Sequence, residues 1–221
     1  MFAGHVGAAL LVGRAERRVN IGMFVFAALL LDVVLWLFIL LGWESVAIPA
    51  DFAETHQAHF DFPYSHGLVA SVAWSILLGA GVALAAATRS GRLRIAVLIA
   101  IAVFSHWLLD ALVHVPEMPL AGEGSAKVGL GLWQHLPIAL GVEALIVVAG
   151  LWAFLAGTSL VRWRKIALVT SALLLLVFTI AGMTVAPPPP SPIAMAASSL
   201  VTLLVVCALF AWIGMARSRP S

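Results

Sequence analysis

Apolar residues come in six long runs, and nearly all polar positions fall between them. The runs are Ile21–Trp43, Gly67–Ala87, Ile95–His114, Leu136–Gly157, Ile166–Val185 and Met195–Met215. Each is close to the roughly 20 residues that a helix needs to cross a hydrocarbon core of about 30 Å. A seventh apolar piece, Met1–Gly13, is too short to cross and reads as a short helix or a re-entrant segment. No basic residue precedes it, so it does not read as a signal peptide. The pattern predicts an all-α integral membrane protein, one helical domain over residues 1–221 with about six transmembrane helices and a short N-terminal apolar segment.

Composition excludes the alternatives. The chain is 63% hydrophobic and 10% charged. A soluble domain is nearer half apolar and a quarter charged. A disordered chain needs the opposite bias, with low hydrophobicity and high charge. The single cysteine, Cys207, allows neither an intrachain disulfide nor a Cys-rich zinc site.

A formal charge of +2 and a pI near 9.2 would suit nucleic acid, but the placement of the charges removes that reading. Eleven of the twelve Lys and Arg residues fall in four clusters: Arg14/Arg17/Arg18, Arg89/Arg92/Arg94, Arg162/Arg164/Lys165 and Arg217/Arg219. Six spans put all four on one side of the membrane, which the positive-inside rule makes cytoplasmic. The expected setting is the cytoplasmic (inner) membrane, crossed several times, with lipids rather than nucleic acid as surroundings. The outer loops are Glu44–His66, Val115–His135 and Ala186–Ser191, the last carrying Pro187 to Pro190 as a stiff spacer. Trp43, Trp133 and Trp163 fall near span ends, as in an interfacial aromatic belt.

Ionisable groups inside a bilayer are costly and functional by default. Here they gather in the first four spans. Asp32 interrupts the apolar run Leu29–Leu37, His106 and Asp110 lie in the third span, Glu143 lies in the fourth, and His66 opens the second. At 1.5 Å per residue, Asp110 lies about 6 Å, His106 and Glu143 about 12 Å, and Asp32 about 16 Å below their span ends. His5 rises about 12 Å from Gly13. All can share one layer in the outer half of the membrane.

His106 and Asp110 are four residues apart and share a helix face. Imidazole and carboxylate at that spacing offer two ligands to Zn²⁺ or a similar ion, or pair with each other. Asp32 and His66, at compatible depth, also need partners. The loop Asp51–His66 adds His56, His59 and Asp61, read either as an entry funnel for cations or as an ordinary polar loop. Nucleophile-elbow, P-loop and dinucleotide motifs are missing from the sequence.

Four motifs resemble those of the YdjM-like family of membrane-bound metal-dependent hydrolases. They are Gly4-His5, Leu29-Leu30-Leu31-Asp32, Asp61-Phe62-Pro63-Tyr64-Ser65-His66 and Ser105-His106-x-x-x-Asp110. The likeness covers roughly the first 120 residues. It departs where the family has Pro-Asp-x-Asp and this chain has Leu31-Asp32-Val33-Val34, and where Asp61 replaces a histidine. The resemblance implies a hydrolase whose divalent metal, Zn with Mn, Mg or Fe as alternatives, is held by Asp32, His66, His106 and Asp110. His5 or Asp61 would complete the set, and Glu143 or Asp61 would act as general base. A lipid or lipid-linked ester or phosphoester would be the substrate. A metal or proton-coupled transporter, and a structural protein whose buried polar groups pair with one another, are the competing expectations.

Overall fold

A computed structural model describes residues 1–85 and 91–215, and the account below is of these. Arg89, Arg217, Arg219 and the last two residues of the expected second span lie outside them. Six helices are long and apolar enough to cross a membrane: α2 (Ile21–Leu41), α4 (Leu68–Ala85), α5 (Arg92–Val113), α6 (Leu136–Leu155), α7 (Arg162–Thr184) and α8 (Pro192–Gly214). Their ends lie within four residues of the sequence-based bounds. The expected all-α, multi-pass membrane architecture is what the chain forms.

The N-terminal segment is helix α1 (Phe2–Gly13), about 18 Å long and so shorter than a bilayer core. It is apolar on every side, and nine of its residues are buried. A helix apolar all round belongs in a core, and α1 packs against α2, α5, α6 and α7. It crosses α6 at bare backbone. A Cβ on Gly7 would stand 2.7 Å from Ile146 O, and one on Gly150 would stand 2.3 Å from Gly7 O. With no hydrophobic drive between helices in lipid, small residues that let backbones touch are what hold such a crossing.

Helix α2 runs through the centre, flanked by α1, α5 and α8. Asn20 caps it, accepting from Gly22 N–H (2.8 Å) and donating to Ala211 O of α8 (2.9 Å). Helix α4 leans on α5. Helices α7 and α8 follow each other in sequence but touch little. They meet at the basic end, where Trp163 and Trp212 pack at 5.3 Å and Arg164 donates to Ile213 O. Two further basic clusters are drawn to this same end: Arg94 reaches Ala15 O and Glu16, Arg18 pairs with Glu16, and Arg17 donates to Gly157 O. Two side-chain hydrogen bonds and one backbone hydrogen bond from Arg18 hold the Glu16 carboxyl down at about 2.

The opposite end is covered by ordered loops. Strand β1 (Ser45–Ala47) pairs antiparallel with β2 (His59–Asp61), bracketing the short helix α3 (Phe52–Thr55). Strand β3 (Met118–Pro119) pairs with β4 (Lys127–Val128). Phe60 N–H donates to Glu117, and the Gln57 amide donates to Trp133 O, tying the two loops together. The turn before α4 is held by Glu44, whose Oε1 accepts from Tyr64 and Ser65 N–H at 2.8 Å each.

Candidate metal centre

Three helices and one loop bring five of the expected residues to one point. The packing of α1 and α2 on α5 places His5, Asp32, His106 and Asp110 together. The Glu44-braced turn adds His66 from the loop side. His66 is fixed from two directions: Trp107 Nε1 donates to its carbonyl (3.0 Å), and Ser65 Oγ lies 2.8 Å from its Nδ1. His106 Nδ1 donates to Ala28 O at 2.6 Å, which turns its Nε2 towards the cluster. Outer partners of this kind set the tautomer and aim of a ligating imidazole.

The inward atoms fall into two overlapping sets of three, His66–His106–Asp110 and His5–Asp32–His106, within each of which they lie within 4.8 Å of one another. His66 Nε2 and His106 Nε2 are 3.2 Å apart, and they stand 3.4 and 3.1 Å from Asp110 Oδ2. Asp32 Oδ1 lies 3.7 Å from His66 Nε2 and 3.6 Å from His106 Nε2. Zinc with bonds of about 2.0–2.1 Å in tetrahedral geometry separates its ligand atoms by about 3.3–3.4 Å. The three atoms of His66, His106 and Asp110 form the tight face, and Asp32 is the looser corner. Two imidazole lone pairs and two carboxylates aimed at one point repel unless a cation or protons lie among them. The donor set therefore fits a divalent ion, and these buried His and Asp groups could hold one.

His5 joins Asp32 and His106 in the second set, and it also braces Asp110. Its ring stacks on that of His106 at 3.7 Å, and its Nε2 meets the other oxygen of Asp110, Oδ1, at 3.1 Å. It thereby orients Asp110 from behind. The Met1 nitrogen is 3.4 Å from the same oxygen. The ion pairs of Arg18, Arg94 and Lys127 lie at the two ends of the bundle. Charge at the centre is answered locally by His5 and the Met1 nitrogen.

A cavity of about 590 Å³ opens beside the cluster, bordered by Asp32, His66, Asp110 and Glu143 on one side and by α7 and α8 on the other. Its volume is in the range of small-molecule sites. Asp32 is the most accessible of the cluster carboxylates, with its side chain 21% exposed against 4% for Asp110. Glu143 is buried, and its Oε1 accepts from Gly4 N–H at 2.9 Å, so it also anchors the start of α1.

Asp61 is not brought to this point. It ends β2, its side chain is 64% exposed, and Lys127 lies 3.8 Å away. The pairing of β2 with β1 fixes it on the outer surface, so neither the ligand nor the base role expected for it has a geometric basis here. His59 is likewise exposed on β2, whereas His56 borders the cavity. The chain also supplies a pair that reading the sequence missed. His114 borders the cavity, holds Glu117 at 2.5 Å through Nδ1, and reaches to 3.9 Å from Asp110 Oδ2 through Nε2. The signal was the four-residue spacing His106, Asp110, His114, the first two on one face of α5 and the third at its C-cap. No family model, curated protein or solved structure matches this chain.

Proposed function

We propose that the protein is a metal-dependent hydrolase of the cytoplasmic membrane, with its basic end inside and its centre in the outer half of the bilayer. The observation that carries this reading is the tight His66–His106–Asp110 face completed by a looser, cavity-facing Asp32. Catalytic zinc sites take three protein ligands and keep a position for water or substrate. Two imidazoles and carboxylates suit Zn²⁺, with Mn²⁺ or Fe²⁺ as related choices, while Mg²⁺ prefers an all-oxygen set. When bound, such an ion supplies Lewis-acid polarisation and makes water acidic near neutral pH. The motifs shared with YdjM-like proteins point the same way.

The remaining roles belong to this chain's own atoms. His5 holds Asp110 in place, and Ser65 and Ala28 aim His66 and His106. Glu143, buried at the cavity wall, is the candidate to accept a proton, and His114 backed by Glu117 can return one to a leaving oxygen. A cavity whose far wall offers apolar side chains and hydroxyls but no charge suits a lipid or lipid-linked ester or phosphoester.

The test is elemental analysis beside hydrolysis of ester and phosphoester lipids, using purified wild type, Asp110→Ala and Asp32→Asn. The expected result is one metal ion per chain in wild type and near-complete loss in Asp110→Ala. Asp32→Asn should keep most of the metal and lose turnover. Wild type that holds no metal after loading with Zn²⁺, Mn²⁺ and Fe²⁺ overturns the proposal.

A further inference from the structure

At the loop-covered end of the bundle, four aromatic side chains line a second, open hollow of about 450 Å³. They are Phe38 in the last turn of α2, Trp43 just beyond it, Tyr64 in the turn before α4, and Trp74 in the second turn of α4. No residue of the metal centre borders it. The Phe38 ring lies 4.9 Å from Trp43 and 6.4 Å from Trp74, tilted to them by 53° and 57°. The three rings therefore curve and do not stack flat. Tyr64 is fixed at three points: Glu44 Oε1 accepts from its N–H, its carbonyl accepts from Trp74 Nε1 at 2.9 Å, and its hydroxyl donates to Glu123 at 2.9 Å. Trp43 is 61% and Tyr64 45% exposed, so a ligand can reach these rings.

The chemistry of the hollow selects its ligand. The polar edges of Tyr64 and Trp74 are already used within the protein. A group rich in N–H or O–H donors would go unsatisfied against the rings that remain. An aromatic face is negative and attracts a cation, Trp most strongly. The charges nearby have the complementary sign: Glu44 and Glu123 both bond to Tyr64, while Lys127 of the outer loops faces Asp61 instead. A cation without N–H groups meets both conditions, and quaternary ammonium is that cation. An interfacial belt accounts for one Trp at a span end, but not for four rings lining one hollow. The surroundings select the source. Phe38 and Trp74 belong to membrane-spanning helices, close to their loop-covered ends. Further along α4 on the face of Trp74 come Leu77 and Leu84, 62% and 79% exposed, as lipid-facing residues are. An acyl chain can lie along that face while its head fills the hollow.

We propose that Phe38, Trp43, Tyr64 and Trp74 form a binding site for the trimethylammonium head of a choline phospholipid whose chains run along the lipid-facing side of α4. The ammonium lies against the aromatic faces, and the phosphate stays in water because no basic side chain lines the hollow. The site is separate from the metal centre and does not rest on the hydrolase reading.

The experiment measures binding of three probes by native mass spectrometry of the detergent-solubilised full chain. One is dihexanoylphosphatidylcholine. The second is the same lipid with a head that ends in a tert-butyl group, carbon replacing nitrogen, so that shape is kept and charge is lost. The third is phosphocholine, the head without chains. Wild type should prefer the choline lipid over its carbon analogue by about ten-fold, the scale of cation–π attraction away from water, and should bind phosphocholine at least ten-fold more weakly than the lipid. Trp43→Leu keeps apolar surface and removes the most exposed ring, so the preference should vanish. Trp43→Phe, with a smaller ring, should keep part of it, and it decides the matter if the leucine variant does not fold. Equal binding of the two lipids by wild type leaves only an apolar belt and overturns the proposal. A preference unchanged in Trp43→Leu places the cation elsewhere, the metal-side cavity included, and overturns it too. Phosphocholine that binds as well as the lipid overturns the assignment to a lipid head.

Discussion

The two walls of the cavity are built by opposite means. On one side α1 and α6 approach until backbones touch, α2 and α5 pack beside α1, and the cluster side chains are braced by one another, with His5 Nδ1 left unpartnered. On the other side α7 and α8 touch little and offer the cavity apolar side chains and hydroxyls but no charge. Position is the requirement on the first wall, because ligand atoms must be held to within tenths of an ångström before a cation arrives. The second wall has room, as admission of a long flexible molecule requires. Rigidity and access are thus assigned to different helices of one bundle.

The strongest way to break this contrast is to add the same volume to each wall. Gly150→Val places a side chain against Gly7 O, where a Cβ alone would stand at 2.3 Å. Backbone cannot turn aside as a side chain can, so the crossing must separate, at a cost of about 3 kcal/mol or more. Because α1 carries His5, metal retention should fall as well. Gly182→Val adds the same groups to α7 beside the cavity, where a Cβ meets nothing within 4 Å. Its effect should stay within about 0.5 kcal/mol. Chemical unfolding in detergent and metal content measure both, and equal losses in the two variants would remove the distinction between the walls.

The packed wall was largely legible in the sequence, and the open wall was not. A charged residue in a long apolar run announces itself, so Asp32, Asp110 and Glu143 stood out, and helix rise placed them in one layer. The four-residue spacing of His106 and Asp110 gave their common face. Rise and spacing do not say how helices turn towards each other. That is why the contact of His5 with Asp110 and the approach of His114, paired with Glu117, to the same carboxylate could not be foreseen. Asp61 was misplaced for another reason. Strands of three residues carry no readable alternation, and the pairing of β2 with β1 sends Asp61 to the surface beside Lys127. The open wall gave no signal, because serines and threonines in an apolar helix ordinarily bond their own backbone. Only the structure shows that several of them border a cavity.

A smaller perturbation tests whether the precision of the packed wall extends to its outer partners. Ser65→Ala removes the hydroxyl at 2.8 Å from His66 Nδ1 while leaving the backbone N–H that Glu44 accepts. Loss of such a partner weakens metal binding by about 10- to 100-fold. Ser198→Ala on the open wall removes a hydroxyl bonded only to its own helix, and metal affinity should be unchanged. Competition against a chelator of known affinity reads both values.

The mildest test concerns Glu44, which secures the turn that delivers His66 to the packed wall. Its Oε1 accepts two backbone N–H groups, while Oε2 is buried without a partner. Burial is the larger influence and raises its pKa above the ordinary 4.5. An acid with a raised folded-state pKa binds its proton more tightly when folded. Its contribution is therefore fully present below the unfolded value and is lost as pH rises through the folded one. Thermal stability of wild type should accordingly decline from about pH 4 upwards across that window. Glu44→Gln keeps an oxygen for the two N–H groups and cannot ionise, so its profile should be flatter there. Parallel declines in the two proteins would show that Glu44 is not the group that titrates. A decline confined to wild type, with Ser65 and His66 still in place by their metal content, would identify this carboxyl as the soft point of an otherwise rigid wall.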